Sequence, residues 1–237
     1  MLQGAACSAA SVCPSSFSAR TYSQYGVPAS KLHVIPYGVR LERFKKNADA
    51  PTDSFEVLFA GQVGLRKGIP YLLEAFARLK YPNKRLTIAG SIQDHIRPLL
   101  AQWPQENVTF LGSVPQAELI DRMSRSHVMV LPSIEEGLAL VQAQAMACEC
   151  PVIATYATGA EDLFTDQVEG FIVAERDVAV LTERMQQVAD NPALRDRMAA
   201  AARLRVQSIG GWDTYGRNWD AMLHELTGIA RRADEEQ

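Results

Sequence analysis

The sequence predicts an α/β fold built around a doubly wound parallel β-sheet, and two observations support this prediction. From residue 55 onward, short runs rich in β-branched residues alternate with amphipathic stretches long enough for helices, a pattern typical of βαβ units. Runs such as His127–Leu131 are apolar along almost their whole length, as expected for a strand that helices cover on both faces.

The predicted elements follow one another in a regular order. Asn191 and Pro192 separate two of the closing helices, because proline is accepted at a helix start but not in a helix interior. Strands are expected at Phe55–Ala60, Arg85–Ala89, Val108–Leu111, His127–Leu131, Pro151–Ala154 and Gly170–Val173. Helices are expected at Ile69–Leu79, Ala117–Ser124 and Val141–Cys148, and then over about 177–190, 192–207 and 212–230.

The first 45 residues differ from this pattern. They contain a short strand-like segment (SVCP), a helix candidate at Ser16–Tyr25 and a second strand candidate at Leu32–Pro36. The polar segment 45–54 that follows has the composition of a linker. One helix cannot cover both faces of a sheet, so we expect residues 1–45 to be the remnant of another domain.

Composition excludes several classes of protein. The 237 residues carry 24 Lys and Arg against 27 Asp and Glu, and a net charge of −3 argues against a nucleic-acid partner. No apolar run approaches the roughly 18 residues that a transmembrane helix needs, so we expect a cytoplasmic protein, with peripheral membrane association left open. The cysteines lack zinc-ligand spacing and are expected to be buried thiols, and no metal site is expected; they are Cys7, Cys13, Cys148 and Cys150.

The first candidate site is a glycine-rich turn between a predicted strand and a predicted helix. Residues Gly61–Gly68 read GQVGLRKG, which matches neither of the two common glycine-rich phosphate-binding motifs. Glycines at such a turn let backbone N–H groups approach an anion, and the helix N-terminus adds partial positive charge. Arg66 and Lys67 add full charges at the same place. A plain turn with solvated basic residues is the alternative.

The second candidate site is the loop after His127–Leu131, which reads PSIEEGLAL from residue 132. In open α/β sheets, ligands bind beyond the carboxyl ends of the strands, where this loop lies. Glu136 can accept hydrogen bonds from sugar hydroxyls, and the N-terminus of the following helix can bind a phosphate. Gln144 lies about one helical turn further on. An ordinary loop with a solvated acidic pair is the alternative.

Together, these motifs resemble a known family. In the family's order the chain carries VIPYGV (Val34–Val39), the turn ending in Lys67-Gly68, LTIAGS, VTFLGSVP (Val108–Pro115) and PSIEEGLALVQAQAMACECPVIAT. They resemble the nucleotide-sugar-binding C-terminal domain of a GT-B glycosyltransferase of family four (group 1). The resemblance implies a remnant of the acceptor-binding domain plus linker over 1–45, a Rossmann-like donor domain over 46–210, and a crossover helix and tail over 211–237.

The family resemblance also implies an activity. A sugar passes from a UDP- or GDP-sugar to an acceptor with retention of anomeric configuration, in polysaccharide, glycolipid or glycoconjugate synthesis. Basic side chains and helix dipoles, rather than a metal or another cofactor, stabilise the departing diphosphate. This chain alone is expected to be inactive, with the acceptor domain as a candidate partner on a separate chain. A degenerate nucleotide-sugar binding module, or another GT-B enzyme such as an epimerase, stays open.

The resemblance assigns roles residue by residue. Glu136, beside the donor sugar, and Lys67, at the diphosphate, are the catalytic candidates. Gln62 stands where the family commonly has arginine, and Gln144 where a carboxylate holds the ribose, so charge-assisted bonds are lost at both positions. Arg66 is a candidate replacement for the missing arginine. Donor-binding roles fall to Gly61, Gln62, Arg66, Val114, Gly137, Leu138, Ala139, Leu140 and Gln144.

Overall fold

The computed structural model describes residues 8–228, and its strands and helices follow the predicted order. The strands are β1 (Ser11–Cys13), β2 (Leu32–Val34), β3 (Phe55–Ala60), β4 (Lys84–Ala89), β5 (Val108–Gly112), β6 (Val128–Leu131), β7 (Val152–Thr155) and β8 (Gly170–Val173). The helices are α1 (Ser16–Gln24), α2 (Ile69–Arg78), α3 (Gln116–Ser124), α4 (Leu140–Ala147), α5 (Ala160–Leu163), α6 (Val178–Asp190), α7 (Pro192–Ile209) and α8 (Trp212–Thr227).

Most predicted bounds agree with the observed ones to within two residues, and two differences have a physical cause. Helix α8 ends at Thr227 rather than at 230, because Gly228 adopts a left-handed φ of 67° that terminates the helix. Helix α5 was not predicted, because a single helical turn is too short to produce a periodic apolar pattern. Cys7 and residues 229–237, part of the predicted C-terminal tail, lie outside the described residues.

The main sheet has six parallel strands in the order β5-β4-β3-β6-β7-β8, which confirms the predicted fold class. The chain runs outward from β3 through β4 to β5, returns to β6 on the other side of β3, and continues to β8. The strand order therefore reverses between β3 and β6, which pair through Val57 and Val128. Open α/β folds bind ligands at this switch point, beyond the carboxyl ends of the two strands.

Helix α2 shows how an amphipathic sequence covers the sheet. Its residues Ile69, Leu72, Leu73 and Phe76 recur at helical spacing, and all four are buried. The helix starts directly after Gly68, so the turn that precedes it is fixed by the packing of this apolar face against the sheet. The basic residues of that turn are consequently held at the carboxyl end of β3.

The N-terminal segment forms a small structure of its own. Strands β1 and β2 pair in parallel as a separate two-stranded sheet, with α1 between them in sequence. Ser15 caps α1, because its hydroxyl accepts a hydrogen bond from the N–H of Ser18 at 3.1 Å. The assignment of residues 1–45 to another domain stays a prediction.

Helix α8 packs against the segment 35–44, which directly follows β2. The rings of Tyr37 and Trp212 stack with centroids 6.2 Å apart, and the backbones of Gly38 and Gly211 come too close for a side chain at position 38. Met222 is buried, whereas Leu223 and Leu226 are exposed. None of the helices within residues 8–228 combines the length and the apolar character that crossing a bilayer requires.

His127 directly precedes β6 and is buried. Its Nδ1 accepts a hydrogen bond from the N–H of Glu56 at 2.9 Å, and its ring stacks on Phe55. Burial, reinforced by the positive charge of Arg195, lowers the pKa of His127 to about 4 from its ordinary value of 6.5. The native state therefore keeps this imidazole neutral where the unfolded chain protonates it.

This difference predicts a pH-dependent stability. Between pH 6.5 and 4 only the unfolded chain binds the proton. As the pH is lowered through this window, the free energy of unfolding should therefore decrease by about 3 kcal/mol. In His127→Asn, whose amide oxygen can still accept from Glu56, this part of the pH dependence should disappear. Urea unfolding of both proteins between pH 4.5 and 7 measures it. Identical pH profiles would contradict the assignment to His127.

Candidate functional site

The two predicted loops meet at the switch point of the sheet. The turn after β3 and the loop after β6 are joined by a hydrogen bond from the N–H of Ile134 to the carbonyl of Arg66 at 2.9 Å. Gly68 packs directly against the carbonyl of Pro132, and its φ of 71° is in the left-handed region. The two loops predicted from the sequence are therefore neighbours and together form one candidate site.

A cavity of about 430 Å³ opens between these loops. Among the described residues, Lys67 is the one cationic side chain that lines it, and Glu136 is the one anionic side chain. Other lining residues are Ala60, Gly61, Gln62, Ala89, Gly90, Ser113, Val114, Leu119, Leu138, Ala139, Leu140 and Val141. The cavity thus contains most of the predicted site residues, whereas Arg66, Gly137 and Gln144 are not part of its lining.

Sequence reasoning missed six of these lining positions. Ala60 and Ala89 are the last residues of β3 and β4, Gly90 directly follows β4, Ser113 follows β5, and Leu119 and Val141 lie on helices. The positions after β4 and β5 could have been predicted from the sequence, since the carboxyl ends of neighbouring parallel strands lie at the same edge of a sheet. Only glycine fits at position 90, because a side chain there would overlap the carbonyl of Gly61.

An ion-pair cluster occupies the rim of the cavity. Lys67 Nζ contacts Glu136 Oε2, and both side chains are largely shielded from solvent, at 13% and 16% exposure. Arg66 Nη1 lies 3.1 Å from the same carboxylate oxygen and donates to the carbonyl of Glu135 at 2.8 Å. One shielded carboxylate is therefore shared by two cations, of which Lys67 faces the cavity.

The start of α4 provides a second element suited to an anion. The helix begins at Leu140, and its N-cap residue Ala139 offers no side chain to accept from the first-turn N–H groups. Leu140 and Val141 both line the cavity at this end of the helix. First-turn N–H groups lack intrahelical acceptors and lie at the positive end of the helix dipole. The lining of the cavity therefore includes both Lys67 and a helix N-terminus.

The two glutamines that depart from the family pattern lie in different surroundings. Gln62 lines the cavity, and its Oε1 accepts a hydrogen bond from Gln93 Nε2 at 2.8 Å. Gln144 instead lines a neighbouring cavity of about 230 Å³ between α4, the segment 35–44 and Trp212. Leu140 lines both cavities, whereas Gln144 lines only the smaller one.

Histidine, cysteine and acidic side chains do not gather into a metal site in the part of the chain that is described. No group of three of them within residues 8–228 has an arrangement that would hold an ion. Cys13, Cys148 and Cys150 are buried free thiols, and burial raises the pKa of Cys148 to about 12. A thiol with such a pKa is protonated and unreactive at neutral pH.

Comparison with known proteins gives consistent matches. A family profile described as glycosyl transferases group 1 matches residues 41–205. D-inositol 3-phosphate glycosyltransferase of Pseudarthrobacter chlorophenolicus is 32% identical over 213 residues, covering 83% of this chain and 51% of that protein. Sucrose-phosphate synthase of Thermosynechococcus elongatus superposes with a TM-score of 0.84 at 25% identity, covering 97% of this chain and 61% of that one. HepE of Anabaena, solved in complex with UDP-glucose, superposes with a TM-score of 0.82 at 20% identity, covering 94% and 66%.

The parallel sheet and these neighbours define the class of domain, which is the Rossmann-like C-terminal domain of the GT-B fold. The family profile covers most of the chain, so the chain belongs to the glycosyl transferases group 1 family. It spans about half the length of the curated relatives it matches.

Proposed function

We propose that this chain is the donor-binding half of a retaining glycosyltransferase of family four, using a nucleoside-diphosphate sugar. The observation that supports it most is the cavity at the switch point, whose lining includes both Lys67 and the N-terminus of α4. These two elements suit an anion with two phosphates. HepE, which has the same fold, was solved with UDP-glucose bound.

The proposed roles combine the family resemblance with the lining of the cavity. Lys67 binds the diphosphate and, with the helix N-terminus, offsets the charge that develops as the sugar–phosphate bond breaks. Glu136 accepts hydrogen bonds from hydroxyls of the donor sugar. Ser113 and Val114, which also line the cavity, are proposed to contact the nucleoside. The cations and the dipole supply the electrostatic stabilisation in this scheme, so we propose that transfer requires no metal.

The acceptor is proposed to bind outside the residues described. About half of the curated relatives' length has no counterpart in this chain, and we propose that the acceptor-binding domain corresponds to that part. Positioning two reactants can contribute roughly 7–11 kcal/mol to lowering a barrier. The donor half alone is therefore expected to bind the nucleotide sugar but to transfer it slowly at most.

A binding module without transfer activity is the second candidate function. The observation that favours it is the loss of charge at Gln62 and Gln144 relative to the family pattern. Addition of the acceptor half distinguishes the two functions. Sugar transfer on mixing, abolished by Glu136→Ala, supports the transferase, whereas tight donor binding without transfer in that mixture supports the module.

Glu136 and Arg66 test the roles within the cluster. Glu136→Ala should leave the affinity for UDP almost unchanged and lower the affinity for UDP-glucose about 5- to 20-fold, because the proposed partner of Glu136 is a sugar hydroxyl. Arg66→Ala should act through Glu136, which it contacts, and the double variant should show non-additive losses for UDP-glucose. Calorimetric titration of both ligands measures these effects.

A different outcome would assign Arg66 to the phosphates instead. If Arg66→Ala lowers the affinity for UDP as strongly as Lys67→Ala does, the guanidinium contacts the diphosphate directly, as a replacement for the arginine absent at Gln62. Arg85→Ala is a control for the removal of an exposed guanidinium, since Arg85 pairs with Glu56 and does not line the cavity.

A further inference from the structure

The N-terminal segment contacts the loop after β6 through the hydroxyls of Ser15 and Ser18. Ser15 is fully buried, and its Oγ donates a hydrogen bond to the carbonyl of Gly137, which directly follows Glu136. Ser18 Oγ also reaches this carbonyl, at 3.3 Å. The two partners are separated by 122 residues in sequence, so the contact is tertiary rather than a local turn.

The position of Ser15 completes the support of this loop. At its start, Ile134 is held by the carbonyl of Arg66, and at its end Ala139 donates to the carbonyl of Thr158 at 3.1 Å. Gly137, midway between these anchors, is held by the N-terminal segment. The fit is tight, because a side chain on Gly159 would collide with both Ser15 and Leu138.

We propose that Ser15 is a positioning residue for the donor site, an inference that rests on the proposed function. The peptide unit is planar and trans, so directing the Gly137 carbonyl toward Ser15 directs the N–H of Leu138 away from it. The same bond fixes the backbone from which Glu136 projects toward Lys67. The N-terminal segment is thus part of the donor site, although it belongs to a different sheet.

Two variants separate this role from the helix-capping role of the same side chain. In Ser15→Gly the hydroxyl is lost, but glycine is tolerated at a helix N-cap with little loss of stability. Ser16→Ala is the matched control. It removes the neighbouring hydroxyl, which donates to Asp162 Oδ2 at 2.9 Å and docks the same segment without contacting the loop.

The first test needs no ligand. Amide hydrogen exchange of the peptide covering 134–139 should be about 3- to 10-fold faster in Ser15→Gly than in the parent, and unchanged in Ser16→Ala. Equal exchange in Ser15→Gly and the parent would overturn the positioning role, whether or not the protein binds a nucleotide.

The second test measures the consequence for binding. Ser15→Gly should lower the affinity for UDP-glucose about 3- to 10-fold. This loss of affinity should be non-additive with that of Glu136→Ala, because Ser15 acts through the loop that carries Glu136. Ser16→Ala should bind like the parent. Parent-like affinity of Ser15→Gly, or a loss fully additive with Glu136→Ala, would overturn the inference. Failure of the parent itself to bind UDP-glucose would instead reject the proposed function.

Discussion

Lys67→Ala is expected to weaken UDP binding about 10- to 100-fold, which corresponds to about 1.5–3 kcal/mol. Lys67 is the cation that faces the cavity, and its side chain is only 13% exposed. A charge-assisted bond to a phosphate is stronger in such shielded surroundings than at the open surface. Removal of Lys67 also leaves Glu136 without its cavity-facing cation, which adds repulsion against an incoming diphosphate. Isothermal titration calorimetry with UDP measures the loss.

Lys46→Ala is the matched control for this variant. Lys46 pairs with Asp49 at 2.9 Å on the polar segment before β3 and does not line the cavity. Its removal lowers the net charge of the chain by the same amount, so it reports any general effect of charge on an anionic ligand. If Lys67→Ala binds UDP as the parent does, the residues Gly61–Gly68 form only a turn and the phosphate site is wrong.

Gly68→Ala is expected to destabilise the fold by at least about 3 kcal/mol or to prevent folding. Two costs combine at this position. A φ of 71° is unfavourable for alanine, and the added Cβ would overlap the backbone carbonyl of Pro132. Because Pro132 belongs to the loop after β6, the overlap must push apart the two loops that form the site. Urea unfolding measures the change in the free energy of unfolding.

Gly112→Ala separates these two costs. Gly112 has the same φ of 71°, but nothing lies within 4 Å of the position that a Cβ would take. Its replacement should therefore cost only the backbone term, about 1–2 kcal/mol. Equal losses in the two variants would show that the contact of Gly68 with Pro132 does not hold the loops together.

Much of the fold was predictable because its signals are local. Strands such as Phe55–Ala60 are continuous apolar runs, and the apolar spacing of α2 is visible in its own residues. The two site loops were also predictable, since each follows a buried strand and precedes a helix. Parallel strands end at a common edge of the sheet, which makes residues far apart in sequence candidates for a single site.

The contacts within the site were not predictable in this way. The pairing of Lys67 with Glu136 depends on β3 and β6 being neighbours, and this follows from the strand order of the whole sheet. Gln144 lines a second cavity, which Trp212 and the segment 35–44 help to enclose, and the packing of Trp212 on that segment is not visible in a local pattern. The bond from Ser15 to Gly137 connects two segments that no local pattern relates.

The proposed donor site at the switch point is tested most directly by titrating UDP and UMP into the protein in the presence of EDTA. We expect UDP to bind with a dissociation constant in the micromolar to millimolar range. UMP should bind at least about tenfold more weakly, because in the proposed binding mode the diphosphate contacts both Lys67 and the N-terminus of α4, and a monophosphate contacts only one of them. Equal affinities for the two nucleotides, or binding of UDP only when a divalent metal is added, would contradict this site.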